Sequence, residues 1–409
     1  MGKRAGAGGT VVLRPPLKPT AFTESREGAA PQSPSAPSRS SLKQAAERVL
    51  LGFLPPALLI VLVAARVLIG RHLGFDFKPL WDASRDVVQG ASPYPPPHAW
   101  ALHDEQQFVY PPLAALLVAP LAAFPFTVAA ALLAALEVAA TALTLRVLGV
   151  RDWRCYGVVF LWYPVIQNVL VGSITSLLAL GLAVAWRYRD DARTAPLVVA
   201  ALVAAKVFLW PLLLWQAATR RTAAAARALV VAVTAVMASW ALIGFAGLGS
   251  YWHLLDELSR LEQWKSYSAV AFGLVLGLSS GEARALALGA CALVAAAILL
   301  VRLRKGGADA DRQAFVLAIA AAFLFSPIVW THYLALLVVP IAITRRTLTP
   351  LWFVPLAMWA TPGQSDGHAW QVVLGMSVWV VVLAASLRPA WPRPFARSVH
   401  TPAYAPVEA

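Results

Sequence analysis

The chain has 409 residues, of which 59% are hydrophobic and 13% are charged, and its mean hydropathy is +0.66. Soluble domains carry about 25% charged residues, so this chain has too few to cover a water-exposed surface. The composition excludes an ordinary soluble enzyme and predicts one membrane-embedded body.

The net charge of +14 is typical of a membrane protein whose cytoplasmic segments face anionic lipid. The basic residues are spread over many loops, which argues against a nucleic-acid partner. The two cysteines, Cys155 and Cys291, stand far apart, and the seven histidines lack metal-ligand spacing. Neither a disulfide framework nor a metal site is therefore predicted, and no cofactor is indicated.

Residues 1–48 are rich in Gly, Pro, Ser and Ala and predict a disordered, basic cytoplasmic tail. Residues 49–388 are the predicted membrane domain, and 389–409 form a second cytoplasmic tail. A helix of about 20 residues crosses a bilayer. On that scale the sequence predicts an all-α bundle of about twelve spans: 49–70, 111–124, 126–146, 155–171, 173–187, 195–218, 226–249, 284–303, 313–327, 331–344, 349–361 and 369–388.

An even number of spans places both termini on the same side, and the basic N-terminal tail assigns that side to the cytoplasm. Cytoplasmic segments then hold 20 Lys and Arg and external segments hold 12, as the positive-inside rule requires. Two basic loops, 146–154 and 187–193, fall on the external side and fit this orientation poorly.

Two long external loops follow from this topology, 71–110 and 250–283. In the first, Leu80, Trp81, Val87 and Val88 recur at helical spacing opposite charged residues, which predicts a helix in the membrane interface. Residues 250–267 predict a second interfacial helix with leucines on one face.

Asp76 lies between the first span and the first interfacial helix. A general base needs a fixed position within reach of the proton that it removes, and a carboxylate tethered there meets the first requirement. The alternative is that Asp76 caps a helix or is a solvated loop residue. Asp82 lies on the same loop and is the second candidate base.

A series of short motifs resembles glycosyltransferase family 87, the polyprenol-phosphate-mannose-dependent α-mannosyltransferases of the GT-C superfamily. The motifs run from about residue 74 to residue 340 and cover most of the membrane body. They are "DF" at Asp76, "SPY" ending at Tyr94, "FVYPP" at 108–112, "GSITSLLALG" at 172–181, "AAKVFLWPLLLW" at 204–215 and "SPIVWTHYLALLVVP" at 326–340.

The resemblance implies a GT-C-like plasma-membrane enzyme with its active site on the external face. It would transfer a hexose, mannose by resemblance, from a polyprenyl-phosphate donor to a lipid-linked or cell-envelope glycan acceptor. Asp76 matches the aspartate that serves this family as general base for an inverting transfer. Polyprenyl phosphate is a good leaving group, so no strong general acid is required.

The chain also departs from the family pattern. Gly172-Ser173-Ile174-Thr175 stands where members often have Gly-Gln-x-Asn, and Tyr333 stands where a second histidine is frequent. These departures leave the fold prediction intact and leave the sugar and the acceptor open.

Lys206 and His332 are the candidate contacts to the donor phosphate. A charged residue inside an apolar span has a functional partner as a rule, and phosphate suits an ammonium. The alternatives for Lys206 are a pair with Glu137 or snorkelling to the interface. His332 can instead be a packed interfacial residue bonded to a carbonyl freed by Pro327.

Trp330, Arg260 and Tyr267 are the candidate contacts to the acceptor or the sugar. Trp330 can stack on a sugar ring or belong to the aromatic belt of a membrane protein. Arg260 and Tyr267 lie on the second external loop, where a structural role is the alternative.

Two other classes of function compete with a transferase. A transporter or flippase of lipid-linked sugars predicts matching repeats with broken helices, and no convincing halves are visible. A non-catalytic membrane scaffold predicts that Asp76 is replaceable. A nucleotide-sugar enzyme is not indicated, because the chain has neither a soluble domain nor a cytosolic Asp-x-Asp motif.

Overall fold

The computed structural model describes residues 39–68, 73–95, 107–301, 307–361 and 363–388. The chain divides into two compact units, Met1–Ala45 and Ala46–Ala409, and the account below concerns the second. The predicted C-terminal tail and most of the predicted N-terminal tail lie outside the described residues. Arg39–Arg48 are helical.

Seventeen α-helices and no strand occur in the described ranges, in agreement with the all-α prediction. A π-helical turn at Val49–Phe53 joins the first two, and 3₁₀ segments occur at Val207–Leu209, Gln263–Lys265, Thr331–Leu337 and Pro350–Ala360. The α-helices are α1 Arg39–Arg48, α2 Leu54–Leu68, α3 Phe77–Val88, α4 Pro112–Ala122, α5 Phe126–Val147, α6 Trp153–Phe160, α7 Tyr163–Val171, α8 Thr175–Arg187, α9 Thr194–Ala205, α10 Pro211–Ala218, α11 Thr222–Leu242, α12 Leu248–Glu262, α13 Ala269–Val275, α14 Ser280–Leu300, α15 Ala308–Phe325, α16 Val338–Thr344 and α17 Ala369–Leu387.

Within the described ranges, five helical stretches are long and apolar enough to cross a membrane, and α7 with α8 makes a sixth if that pair, bent by 118°, is one span. The predicted count of twelve spans is therefore not confirmed, although the helical, apolar architecture is that of a polytopic membrane protein. The five long stretches are Gln44–Arg66, Phe126–Val147, Thr222–Leu242, Ser280–Leu300 and Ala369–Leu387.

Several predicted spans are broken into shorter helices at identifiable residues. The run 195–218 is interrupted at Lys206, whose backbone is extended (φ −143°, ψ 105°), and α10 then restarts with Pro211 in its first turn. The run 155–171 is interrupted before Tyr163, and Pro164 opens α7. Proline suits a first helical turn because its missing N–H would have no intrahelical partner there.

Polar contacts define the end of the bundle opposite Asp76, called here the lower end. Asp152 accepts a hydrogen bond from the Leu348 N–H at 3.0 Å, and Arg154 lies 3.9 Å from Glu47 at the start of the first span. Asp311 binds both Arg189 and Arg221 at 2.9 Å.

Both groups of contacts lie at the same end because α5 and α8 run side by side in one direction. Near the start of α8, Gly172 lies beside Leu133 of α5. Slightly further along, Ser176 is bonded to Thr141 at 3.0 Å. The two helices therefore finish together, α5 before the Asp152 loop and α8 before the Arg189 loop.

The loops 146–154 and 187–193 consequently share an end with 219–221, 307–312 and 345–348. The sequence had placed the first two outside and the last three inside, so that part of the predicted topology is wrong. Moving the two loops reduces the external Lys and Arg from 12 to six, which fits the positive-inside rule better.

Two features of the chain explain the error. α4 begins and ends near α3, because Tyr110 accepts a hydrogen bond from the Tyr94 hydroxyl at 2.6 Å and Phe126 stacks on Phe77. The segment 111–124 therefore does not run from one end to the other. Conversely, the segment 195–218 runs from the lower end towards the upper end and returns, since Arg189 before it and Arg221 after it both bind Asp311. The first segment was predicted to cross once and does not cross, and the second was predicted to cross once and crosses back again. The two errors therefore cancel, and the predicted sides of the segments after residue 218 do not change.

Cysteine labelling in sealed vesicles tests this topology. We expect Ala192→Cys and Arg346→Cys to react with a membrane-impermeant maleimide from one side, and Ser92→Cys from the other, because all three positions are exposed. The native Cys155 and Cys291 are buried and give a low background. Labelling of positions 92 and 192 from the same side would restore the topology predicted from sequence.

Candidate active site

Residues from four separate breaks in the helical bundle meet at the upper end, where Asp76 lies. Asp76 precedes α3, Tyr110 precedes α4, Lys206 follows α9, and the turn after α15 supplies His332 and Tyr333. These five residues are called here the Asp76 cluster. Helix breaks leave backbone groups and polar side chains at a depth where continuous helices would present only apolar surface.

Backbone hydrogen bonds fix Asp76 against the end of α7. The Asp76 N–H donates to the Val171 carbonyl at 2.8 Å, and the Gly74 N–H donates to the Leu170 carbonyl at 3.1 Å. Gly172 ends α7 with φ +71°, and a Cβ there would lie 2.9 Å from the Gly74 Cα. Only glycine permits this close approach of the two backbones.

The Asp76 side chain does not cap the helix that it precedes. Asp76 occupies the N-cap position of α3, but its carboxylate makes no capping hydrogen bond. The side chain keeps 32% of its accessible surface. The capping alternative raised from the sequence therefore does not describe this carboxylate, which is open to another partner.

Burial raises the pKa of Asp76 from an ordinary value of 3.8 to about 6, although Lys206 and Arg66 act in the opposite direction. Removing a carboxylate from water disfavours its charged form more than these cations favour it. A carboxyl group with a pKa near 6 accepts a proton more readily than an exposed aspartate and is still mostly ionised at neutral pH.

His332 is a close titratable neighbour of that carboxylate. Its Nε2 lies 3.7 Å from the Asp76 Oδ2, and its side chain is only 6% exposed. The residue occupies the second position of the 3₁₀ helix Thr331–Leu337, which starts shortly after Pro327. The sequence predicted both residues for the site, and the structure brings them together.

Lys206 is a buried cation whose near neighbours are tyrosines. Its ammonium donates to the Tyr333 hydroxyl at 2.7 Å, and it lies 5.3 Å from the centre of the Tyr110 ring. In the described part of the chain no carboxylate lies within ion-pair distance of it. Glu137, the partner considered from sequence, is instead bonded to Asn168 and Ser176.

Asp82 and Arg260 do not belong to the Asp76 cluster, and each has an ion-pair partner on its own helix. Asp82 is paired with Lys78 at 2.5 Å on the surface of α3, and its side chain is 49% exposed. Arg260 is paired with Asp256 at 2.8 Å on α12 and is 63% exposed. Neither side chain shares a contact with Asp76 in the described residues.

Tyr267 and Trp330 flank the turn that carries His332. Tyr267 is fully buried, and its N–H donates to the Val329 carbonyl at 2.8 Å. Trp330 is half-buried and immediately precedes the 3₁₀ helix. Both residues therefore lie beside the turn, with Tyr267 supporting its backbone.

No sequence pattern pointed to roles for Tyr110 and Tyr333 or to a buried network around Glu137. The Glu137 side chain has no solvent exposure and accepts hydrogen bonds from Asn168 Nδ2 at 2.5 Å and the Ser176 N–H at 3.0 Å. A glutamate and an asparagine inside apolar runs were a visible signal, but their spacing gave no hint that they meet.

The family model "Glycosyltransferase family 87" matches residues 108–327, more than half of the chain. The matched segment includes Tyr110, the α7–α8 bend and Lys206, whereas Asp76 precedes it and His332 follows it. Comparisons with curated proteins and with solved structures find no match. On the strength of the family match, together with the apolar helical bundle, the chain belongs to glycosyltransferase family 87 and is a membrane glycosyltransferase.

Proposed function

We propose that this glycosyltransferase transfers a hexose, with mannose as first choice, from a polyprenyl-phosphate donor to a lipid-linked or cell-envelope glycan. The reaction takes place at the external face of the plasma membrane, with both termini cytoplasmic. The observation that carries this proposal is the Asp76 cluster. It places a carboxyl group of raised pKa near a buried ammonium that forms no ion pair with a carboxylate in the described residues.

Asp76 is the general base of the proposed reaction. Its carboxylate accepts the proton of the acceptor hydroxyl while that oxygen attacks the anomeric carbon of the donor sugar. The bond between the anomeric carbon and the phosphate oxygen breaks, and its electron pair leaves with polyprenyl phosphate. Attack from the face opposite the leaving group inverts the configuration at that carbon.

Lys206 holds the phosphate of the donor and of the departing product. A buried ammonium needs a negative partner, and charge-assisted hydrogen bonds to phosphate are stronger than bonds between neutral groups. Tyr333 lies 2.7 Å from Lys206 and brings a second hydroxyl to the same place. The positive charge also stabilises the negative charge that develops as the leaving group departs.

His332 connects the two parts of the site. It lies beside Asp76 and one residue before Tyr333, so it borders both the base and the phosphate position. We assign it to the donor phosphate, or to the sugar between phosphate and base. Its buried position favours a fixed orientation over a solvated one.

The remaining predicted contacts belong to the periphery of the site. Trp330 is a candidate sugar-stacking residue beside His332, and Tyr267 holds the turn from which both residues project. Arg260, exposed on α12, is a candidate contact for the outer part of the acceptor.

Replacing Asp76 tests the proposed base. We expect Asp76→Asn to lower kcat by about 100-fold or more, since general bases contribute on the order of 10²–10⁴. The purified full chain is assayed with radiolabelled polyprenyl phosphomannose and membrane extracts, followed by product analysis. Asp82→Asn is the matched control, because Asp82 is half exposed and paired with Lys78, and it should retain activity within about twofold. Full activity of Asp76→Asn would move the base elsewhere.

The raised pKa of Asp76 predicts how activity and stability depend on pH. Transfer should rise with pH and reach half its maximum near pH 6, where the carboxyl group ionises. Between about pH 4 and 6 the folded protein binds this proton more tightly than the unfolded chain does, so stability falls as pH rises through that window.

Asp76→Asn lacks this titration. In detergent it should therefore melt at a higher temperature than wild type at pH 7.5 and at the same temperature at pH 4. A wild-type advantage at pH 7.5 would mean that the ionised carboxylate stabilises the fold, contrary to its raised pKa.

Replacing Lys206 tests the donor site. Lys206→Met keeps an unbranched side chain but removes the charge, and it should raise the KM for polyprenyl phosphomannose by about 10-fold or more. The apparent KM for the acceptor should change by less than about twofold, because the proposed ligand of the ammonium is the donor phosphate. Lys78→Met is the control, since Lys78 pairs with Asp82 on the surface.

An unchanged donor KM in Lys206→Met would assign the lysine to structure alone. Equal transfer from a nucleotide-linked mannose would overturn the choice of donor. Polyprenyl phosphoglucose, tested beside the mannose donor, decides which hexose is used.

A further inference from the structure

The bend between α7 and α8 is held together from its inner side by Glu137. This glutamate lies in the middle of α5, one of the long apolar stretches, and its side chain has no solvent exposure. Its Oε2 accepts from Asn168 Nδ2 at 2.5 Å and from the Ser176 N–H at 3.0 Å. Its Oε1 has no hydrogen-bond partner within the described residues.

Asn168 closes the same bend through its backbone and its side chain. Its carbonyl oxygen accepts from the N–H groups of Gly172 and Ser173, at 3.0 and 3.1 Å, and its Oδ1 accepts from the Thr175 N–H at 3.2 Å. The first N–H groups of a helix have no intrahelical partner and need such acceptors when buried. Glu137 and Asn168 together satisfy the backbone of a turn that bends by 118°.

The outer side of this bend is the surface on which Asp76 rests. The carbonyls of Leu170 and Val171 accept the backbone bonds from Gly74 and Asp76, and Gly172 packs directly on Gly74. Only the few residues of the bend therefore separate Glu137 from the backbone of Asp76. A displacement of the bend shifts the Asp76 carboxyl group with it.

We propose that Glu137 is a positioning residue for the Asp76 base, acting through Asn168 and the α7–α8 bend. It touches neither substrate. Its contribution is to hold the backbone acceptors at 170 and 171 where they fix Asp76. This inference rests on the proposed role of Asp76. It assigns a function to a buried carboxyl group that the proposed reaction does not use.

Hydrogen exchange provides the first test, and it does not depend on activity. We expect Glu137→Ala and Asn168→Ala, in the full chain in detergent, to lose protection at 73–77 and 172–176 by about 10-fold or more. Protection in α17, which packs on α13, α15 and α16, should stay unchanged. Unchanged protection at 73–77 in both variants would overturn the proposal.

Steady-state kinetics provide the second test, with polyprenyl phosphomannose as the donor. A misplacement of about 1 Å costs on the order of 100-fold in rate, so Glu137→Ala and Asn168→Ala should lower kcat by about that factor. The donor KM should stay within about twofold. Glu137→Gln keeps an oxygen that accepts the Ser176 N–H, and it should recover kcat to within about fivefold of wild type.

Thr144→Ala is the matched control for a merely structural defect. Thr144 is fully buried on the same helix, and its hydroxyl bonds only the Ala140 carbonyl of the preceding turn. A comparable loss of kcat in Thr144→Ala would overturn the positioning role. If Glu137→Ala does not fold, Asn168→Ala decides.

Asp76→Asn, assayed in parallel, separates this inference from the proposed function. An inactive Asp76→Asn beside a fully active Glu137→Ala would refute the positioning role alone. An active Asp76→Asn would refute the proposed base, while the exchange result would still report whether Glu137 holds the bend.

Discussion

The backbone contact between Gly74–Asp76 and the end of α7 is the constraint on which the proposed chemistry depends. Two main-chain hydrogen bonds and two facing glycines lock a loop residue onto a helix end. A carboxyl group on an unattached loop would sample many positions and would make a poor base. Here two hydrogen bonds hold its backbone to the end of α7, while its side chain caps no helix.

The helical segments were largely predictable from the sequence, but their direction was not. Apolar composition identifies a run that prefers lipid or protein surroundings, and it says little about whether the run crosses or turns back. α4, which does not cross, and the α9–α10 segment, which turns back, are both apolar. The contacts around Phe126 fix the path of α4, and those at Asp311 fix the path of α9 and α10. The basic loops 146–154 and 187–193, which the prediction placed on the external side, were the one sign in the sequence that the predicted order of membrane crossings was wrong.

The candidate site was predictable where a residue type was conspicuous. Asp76, Lys206 and His332 each stood out as polar groups beside apolar segments, and the fold gathers them at one place. Asp82 and Arg260 were as conspicuous, yet each has a surface partner one helical turn away. The meeting of Glu137 with Asn168 depends on how α5 packs on α7, which no local spacing encodes.

The ion pairs and the hydrogen bond at Asp311 have a mechanical consequence. One carboxylate accepts from Arg189, Arg221 and the Trp215 indole, so it ties the lower ends of α8, α10 and α15. Breaking a partly buried ion pair of this kind is costly, since a desolvated charge would remain. A motion that parted the lower ends of these helices would have to break these bonds to Asp311.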